Sequence, residues 1–276
     1  MKTAIAFGTF DGVHIAHRKV LDLPDTHKKI AVTFLQPPKM YTLNSAELLM
    51  TFEQKTQALK ELGFDEICPL DFEKVKNAAP IDFLQDIFEK YNPSVISCGF
   101  DYRFGKDAKG DVALLTEFCQ KNGITLKVCE AIEYEGNKVS STMIRNLLKQ
   151  GEIEKANSLL CTPFSFSATV LKGDKRGRTI GFPTINQKYP QELVKIKFGV
   201  YKTKVLVDGK EYNGVTDIGL RPTYETDYVI SETFIKDFSG DLYGKEVKIV
   251  PLEFIREEMK FDSLQELKKQ IQKDIT

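Results

Sequence analysis

The chain has 276 residues, 42% of them hydrophobic, which is enough for two modest domains that each bury a core. Lysine plus arginine and aspartate plus glutamate both number 39, so the formal net charge is zero, which argues against a nucleic-acid partner and its basic surface. No apolar run reaches the ~18 residues of a membrane span, and Cys68, Cys98, Cys119, Cys129 and Cys161 show no Cys-x-x-Cys pairing, as expected of reduced thiols in a cytoplasmic protein.

Ala4–Phe7 reads as a buried strand so near the start that it leaves no room for a signal peptide. It enters the run Gly8-Thr-Phe-Asp-Gly-Val-His-Ile-Ala-His17, and His17–Leu21 then reads as the start of a helix. Of the 3 histidines in the chain, His14 and His17 both lie here, and their spacing puts the two imidazoles on one side of a helical first turn. A strand, a glycine turn and a helix N-terminus offer backbone N–H groups and a favourable dipole to a phosphate. Two imidazoles in such a place point to work on a polyphosphate.

Further strands are predicted at Ile30–Phe34, Ile67–Leu70, Val95–Cys98 and Thr125–Val128, with apolar residues at helical spacing over Ala46–Leu62 and Ile81–Lys90. This alternation predicts an α/β domain: a Rossmann-like, mostly parallel sheet with helices on both faces. Ligands of such sheets sit at the carboxyl ends of strands, where Gly8–His17 lies. At Val139–Arg145 a loop meets a helix. There Ser140, Ser141 and Thr142 offer hydroxyls and Arg145 a fork-shaped cation suited to phosphate. Alone, that run would read as an N-cap. Ser141–Leu148 and Ile153–Leu160 are helical in pattern.

From Phe164 the hydrophobic period becomes two, and strand-like runs recur at Gly199–Val207, Tyr228–Ile235 and Val247–Pro251, with a hairpin signal at Asp208-Gly209. These predict a small antiparallel β-barrel. A C-terminal helix closes the chain, opened by Ser263-Leu-Gln-Glu266 in the manner of a capping box, with Leu264, Leu267, Ile271 and Ile275 on one face. The domain boundary is placed near residue 161, dividing 1–160 from 161–276. Within the second part, Gly173, Gly177 and Gly181 let backbone amides turn toward an anion, with Lys175 and Arg178 beside them. Thr184 and Asn186 present neutral oxygens on one face of an extended segment, a donor type that suits Mg²⁺ shared with substrate phosphates. Taken singly, Lys172–Arg178 reads as an exposed basic loop and Glu232 as a strand carboxylate paired with a cation.

Three segments of the first half together resemble the adenylyltransferase module of bacterial FAD synthetases, a branch of the HxGH-type nucleotidyltransferases. They are Gly8–His14, Gly99-Phe-Asp-Tyr-Arg-Phe-Gly105 and Ser140–Arg145. In the second half, Gly177-Arg-Thr-Ile-Gly-Phe-Pro-Thr-Ile-Asn186 is similar to the riboflavin kinase signature. So are Asp217-Ile-Gly-Leu-Arg-Pro-Thr223, Ser231–Phe238, Gly240–Gly244 and Ile255–Phe261. Their order is that of bifunctional riboflavin kinase/FAD synthetases. The resemblance implies ATP-dependent phosphorylation of riboflavin to FMN by the barrel, then adenylylation of FMN to FAD with release of pyrophosphate by the α/β domain. It implies ATP as substrate, FMN and FAD as intermediate and product, Mg²⁺ as cofactor, and no nucleic-acid or membrane partner. It casts Glu232 as the base on the ribityl hydroxyl, and His14 and His17 as catalytic donors to phosphate. Gly8, Phe10, Gly12, Ser140, Ser141, Thr142, Arg145, Gly173, Lys175, Gly177, Arg178 and Gly181 would line the ATP phosphates. Asp101, Arg103 and Arg221 would meet the flavin, and Thr184 and Asn186 the metal. Ala16, Asp217 and Phe234 depart from the family pattern, which usually has glycine, asparagine and histidine at those places. The alternatives are an enzyme with one activity only, or a flavin-binding regulator without turnover.

Overall fold

The computed structural model describes the chain apart from residues 39, 41–46, 173–180, 222–227, 260, 262 and 276, and apart from the side chains of 221, 264 and 267. The chain divides into two compact units, Met1–Met143 with Leu159–Thr162, and Ile144–Ser158 with Pro163–Thr276.

In the first unit β1 (Thr3–Phe7), β2 (Lys28–Phe34), β3 (Glu66–Leu70), β4 (Pro93–Gly99) and β5 (Thr125–Cys129) form a sheet in the order β3-β2-β1-β4-β5. Every pairing in it is parallel. All five strands coincide with those predicted to within a few residues. Ala4–Phe7 is buried on both faces, which is why it reads as a continuous apolar run rather than an alternating one. Ile5 and Phe7 join a cluster with Ile30, Leu84 and Leu115, whereas Ala4 and Ala6 join one with Phe10, Val20 and Leu59.

Helices α1 (Ile15–Leu21), α2 (Phe52–Glu61), α3 (Phe72–Val75), α4 (Pro80–Tyr91) and α5 (Val112–Lys121) cover the sheet, and a small hairpin pairs β6 (Glu133–Tyr134) with β7 (Asn137–Lys138). The chain lays β1, β2 and β3 to one side, then returns to place β4 on the other side of β1. The order therefore reverses between β1 and β4, and a ligand crevice is expected at their carboxyl ends. Two segments singled out in the sequence, Gly8–His17 and Gly99–Gly105, leave the sheet there.

One predicted helix is shorter than its pattern. Over Ala46–Leu62 the described helix begins only at Phe52, because Thr51 closes a capping box with Gln54 at 3.2 and 2.8 Å. Leu48 and Leu49 are buried ahead of the helix rather than on it. Helix α5 was not anticipated. Asp111 caps it by accepting the Leu114 N–H at 3.0 Å.

Helix α6 (Ser141–Gln150) starts in the first unit and runs into the second, followed by α7 (Ile153–Leu159). Then β8 (Phe166–Leu171), β9 (Thr184–Lys188), β10 (Gly199–Val207), β11 (Lys210–Arg221), β12 (Tyr228–Ile235) and β13 (Glu246–Arg256) close into a barrel in the order β10-β11-β12-β9-β8-β13. Each pairing is antiparallel. Asp208 and Gly209 turn the β10–β11 hairpin at φ 48° and 78°, the left-handed geometry that a two-residue Asp-Gly loop favours. Inside, Phe166, Tyr201, Val247 and Ile249 are fully buried. A hydroxyl ladder joins Thr203 to Thr216 at 3.0 Å and Thr216 to Thr233 at 2.9 Å, so these buried polar groups satisfy one another.

Helix α8 (Leu264–Asp274) is capped by Ser263, which accepts the Glu266 N–H at 3.2 Å. Its last residue, Asp274, is buried and holds the Arg256 guanidinium of β13 through Nη2 at 2.7 Å and Nε at 3.1 Å. Removing one partner of a buried, bidentate pair leaves the other uncompensated, so Asp274→Ala is expected to destabilise the barrel unit by about 3 kcal/mol. Urea denaturation checks this; a loss below about 1 kcal/mol would place the pair with solvent-screened surface bridges instead.

Candidate active sites

The turn after β1 is strained and enclosed. Phe10, Gly12 and Val13 all have positive φ, at 51°, 87° and 39°. Such values cost a residue with a side chain on the order of 1–2 kcal/mol, and strain of this kind gathers at functional sites. Gly8 is required for a different reason: a Cβ there would lie 2.5 Å from the Phe10 ring. Phe10 and Val13 are fully buried, and the Cys161 N–H donates to the Val13 carbonyl at 3.1 Å.

The two histidines meet, though not as residues of one helical turn. His14 precedes α1 as its N-cap, and its Nδ1 accepts the His17 backbone N–H at 3.3 Å. The imidazoles stack with centroids 3.5 Å apart and planes 15° from parallel. Because Nδ1 of His14 accepts, its ring proton belongs on Nε2, which makes that atom a donor. Phe10 meets the His17 ring edge-on at 5.4 Å. Nδ1 of His17 is buried without a hydrogen-bond partner among the described residues. Burial first, then the neighbouring His14 and Lys55, hold His17 well below the usual histidine range, so its ring is neutral at pH 7.

Ser141 Oγ donates to the Asp11 carbonyl at 2.8 Å, which brings the Ser140–Thr142 segment to the Gly8–His17 turn. Ser140 Oγ accepts the Met143 N–H at 3.3 Å, the capping role that its position suggested, and Thr142 is exposed. Arg145 follows one turn after Ser141 on the same face of α6. Asp11 accepts the Leu49 N–H at 3.0 Å. Lys55 of α2 is buried beneath the turn, with Nζ 2.6 Å from the Phe34 carbonyl and 3.1 Å from the Thr9 carbonyl. Sequence reading missed Lys55, although the signal was present. It interrupts an otherwise apolar helical stripe formed with Phe52, Leu59 and Leu62.

Beyond β4, Tyr102 stacks on Phe7 at 5.3 Å and on Phe104 at 5.4 Å, anchoring the Gly99–Gly105 segment by its aromatics. Asp101 and Arg103 point outward. They pair with Lys138 and, at 3.5 Å, with Asp111, and both are exposed.

On the barrel, Asp217, Glu232 and Asn186 stand directly opposite one another on β11, β12 and β9, and so share one face. Thr184 lies on the same face, opposite Phe234, whose ring meets Phe182 at 5.5 Å. Asn186 is buried and Glu232 exposed. Asp217 Oδ1 is buried with no hydrogen-bond partner among the described residues. Burial first, then Glu258 and Glu232, push the Asp217 carboxyl up to about 6 against an opposing pull from Arg256. Glu258 reaches the row because Gly219 leaves it room: its Oε1 lies 2.1 Å from where a Gly219 Cβ would be. Two neutral oxygens beside a carboxylate row and an unpartnered carboxylate oxygen suit a hard divalent cation. Among the described residues no group of three His, Cys, Asp or Glu side chains is placed to hold one unaided. Gly173, Lys175, Gly177 and Arg178 lie outside the described residues, as does the side chain of Arg221. Gly181 is described, with φ 85°.

Comparison with known proteins covers both halves of the chain. A family model described as FAD synthetase matches residues 1–143, and one described as riboflavin kinase matches residues 160–276. A Bacillus subtilis protein named bifunctional riboflavin kinase/FMN adenylyltransferase is 34% identical, covering 99% of this chain and 90% of its own length. The Escherichia coli K12 protein of the same name is also 34% identical, over 98% of this chain and 90% of its own. A solved structure from Streptococcus pneumoniae, described as a macrolide-efflux protein, superposes with a TM-score of 0.90 at 28% identity, over 99% of this chain and 92% of that one. No helix among the described residues here is long and apolar enough to cross a membrane. With the strained histidine turn at the sheet's switch point and the carboxylate row on a closed barrel, the chain belongs to the bifunctional riboflavin kinase/FMN adenylyltransferase family.

Proposed function

We propose that the chain makes FAD from riboflavin in two ATP-dependent steps, the first on the barrel and the second on the α/β unit, with 1–160 and 161–276 as the functional division and the cytoplasm as the place of work. The observation that carries this reading is the presence of two separate arrangements suited to phosphate on one chain: the stacked His14–His17 pair at the carboxyl end of β1, and the Asn186–Glu232–Asp217 row on the barrel.

In the kinase step Glu232 removes the proton of the ribityl hydroxyl as its oxygen attacks the γ-phosphorus of ATP, the bond to the β–γ bridging oxygen breaks, and ADP leaves. Exposure of Glu232 fits a carboxylate that must meet an incoming hydroxyl. Thr184 and Asn186 would hold Mg²⁺, which when bound neutralises phosphate charge. Gly173, Lys175, Gly177, Arg178 and Gly181 would cradle the nucleotide phosphates. In the adenylyl step an FMN phosphate oxygen attacks the α-phosphorus of ATP in line, and pyrophosphate leaves. This chemistry asks for position and charge neutralisation rather than covalent help. His14 donates from Nε2, and neutral His17 adds a second imidazole beside it. Gly8, Phe10 and Gly12 shape the turn, and Ser140, Ser141, Thr142 and Arg145 receive the leaving pyrophosphate. Asp101 and Arg103 meet the flavin once Lys138 and Asp111 yield, and Arg221 is the third flavin contact.

Liquid chromatography of products from riboflavin, ATP and Mg²⁺, repeated from FMN, tests the reading. FMN followed by FAD is expected; no product from either start would sink it. Glu232→Gln is expected to lower FMN formation by roughly 100- to 10,000-fold while FAD formation from supplied FMN is kept.

Asp217 yields a prediction about stability. Its carboxyl is raised to about 6 in the folded chain from 3.8, so the folded protein favours the protonated form. The stability contributed by Asp217 is therefore fully present below 3.8 and is lost as pH rises through about 6. Asparagine carries no charge to desolvate, and its amide can donate toward Glu232 and Glu258. Asp217→Asn is expected to gain about 2 kcal/mol at pH 7.5, a gain that shrinks to nothing as pH falls toward 3.8. Urea midpoints across that range check it, and a gain independent of pH would refute the electrostatic account.

A further inference from the structure

Lys55 is a buried cation that neither step above uses. Its ammonium lies among three oxygens: the Phe34 carbonyl at 2.6 Å, the Thr9 carbonyl at 3.1 Å and Thr33 Oγ1 at 3.3 Å. Thr33 spends its own hydroxyl proton on the Thr9 carbonyl, at 2.8 Å, so it meets Lys55 as an acceptor. Three acceptors call for three N–H donors. An ammonium has three, whereas a neutral amine has two and would turn a lone pair on the remaining oxygen. The cradle is built for the charged form.

Its location decides what it does. The Thr9 carbonyl begins the strained turn, and Phe34 ends β2 beside it. In a planar trans peptide the C=O and the next N–H point in opposite directions. Holding the Thr9 carbonyl toward Lys55 thus aims the Phe10 N–H away from it and sets the plane from which Phe10 takes φ 51°. The Phe10 ring in turn packs edge-on against His17. We infer that Lys55 is a positioning residue for adenylyl transfer, its ammonium holding the Thr9–Phe10 peptide and, through Phe10, the His14–His17 pair where nucleotide phosphates are received. This rests on the adenylyltransferase reading of the α/β unit.

The surroundings give the device a pH range. Among the described residues, Asp11 from the turn and His17 from α1 are titratable groups that interact with Lys55, with His14 stacked behind His17. β2 presents only the neutral Thr33 and Phe34 oxygens, and α2 contributes the Phe52 ring, 5.3 Å from Nζ. Burial pushes Lys55 down to about 8, opposed by the Asp11 carboxylate. As pH rises through that value the ammonium loses its proton, one contact of the cradle becomes a repulsion between lone pairs, and the turn loosens.

The test compares wild type with Lys55→Met as full chains, measuring FAD formation from FMN between about pH 6.5 and about pH 9.5. FMN formation from riboflavin in the same preparations reports folding, since Lys55 has no part in that step. Wild type is expected to lose adenylyl transfer with a midpoint near pH 8. K55M is expected to be roughly 10- to 100-fold slower, flat across the same range, with its kinase activity intact. A wild-type rate in K55M, or an alkaline limb unchanged by the substitution, overturns the inference. Should K55M lose its kinase activity as well, Thr33→Val decides. It removes one acceptor and so weakens the hold on the charged form, and the limb should move to lower pH; an unmoved limb overturns the inference. Wild type that makes FMN but no FAD would instead overturn the adenylyltransferase reading, and this inference with it.

Discussion

A backbone turn buried at the end of a buried strand is the constraint from which the first unit follows. Phe10, Asp11, Val13 and His14 are all nearly inaccessible, so their peptide groups cannot rely on water. The protein meets this need from distant parts of the sequence. Lys55 and Thr33 serve the Thr9 carbonyl, Ser141 the Asp11 carbonyl, and the Cys161 N–H the Val13 carbonyl. Each partner arrives on a different element, so the turn is correct only when the sheet, α2 and the start of α6 are all in place. Site assembly and folding of this unit are one event.

The barrel solves a different problem. On its inner face the threonine ladder pairs hydroxyls with one another, and the Gln187 amide donates to the carbonyls of Ala168 and Val247 at 2.6 and 2.8 Å while its Oε1 has no hydrogen-bond partner among the described residues. In the outer row of Asp217, Glu232 and Asn186, Asp217 Oδ1 has no hydrogen-bond partner among the described residues. A closed sheet has no edge strand to distort, and it holds an unpartnered oxygen on each face, Asp217 Oδ1 on one and Gln187 Oε1 on the other, among the described residues. Strain in the first unit is conformational and in the second electrostatic.

Much of this was legible in the sequence. The five parallel strands showed as short apolar runs because burial on both faces removes alternation, and most barrel strands showed as period two because only one face is dry. The histidine turn and the Ser140–Arg145 segment could each be found, but that Ser141 would reach Asp11 could not, since nothing local encodes a contact between residues so far apart. β9 was legible only as an extended segment at Thr184 and Asn186, behind a run of glycines and cations. Lys55 was legible as a break in the apolar stripe of α2, but its partners were not, since the oxygens it meets belong to Thr9, Thr33 and Phe34, far off in the sequence.

Helix α6 bears on how such a protein can be cut apart. The barrel's compact unit takes in Ile144–Ser158, not only the strands. Asn157 of α7 donates to the Pro251 carbonyl at 2.9 Å and accepts the Phe164 N–H at 2.9 Å, and Leu148 of α6 accepts the Lys197 N–H at 3.0 Å. A gene fragment beginning at residue 160, where the riboflavin kinase match starts, would discard these helices together with the buried apolar side chains they carry, including Ile144, Leu148 and Ala156. The piece that can be excised as a folded body is therefore longer than the piece that carries the recognisable chemistry. Its natural first residue falls inside a helix rather than in a linker.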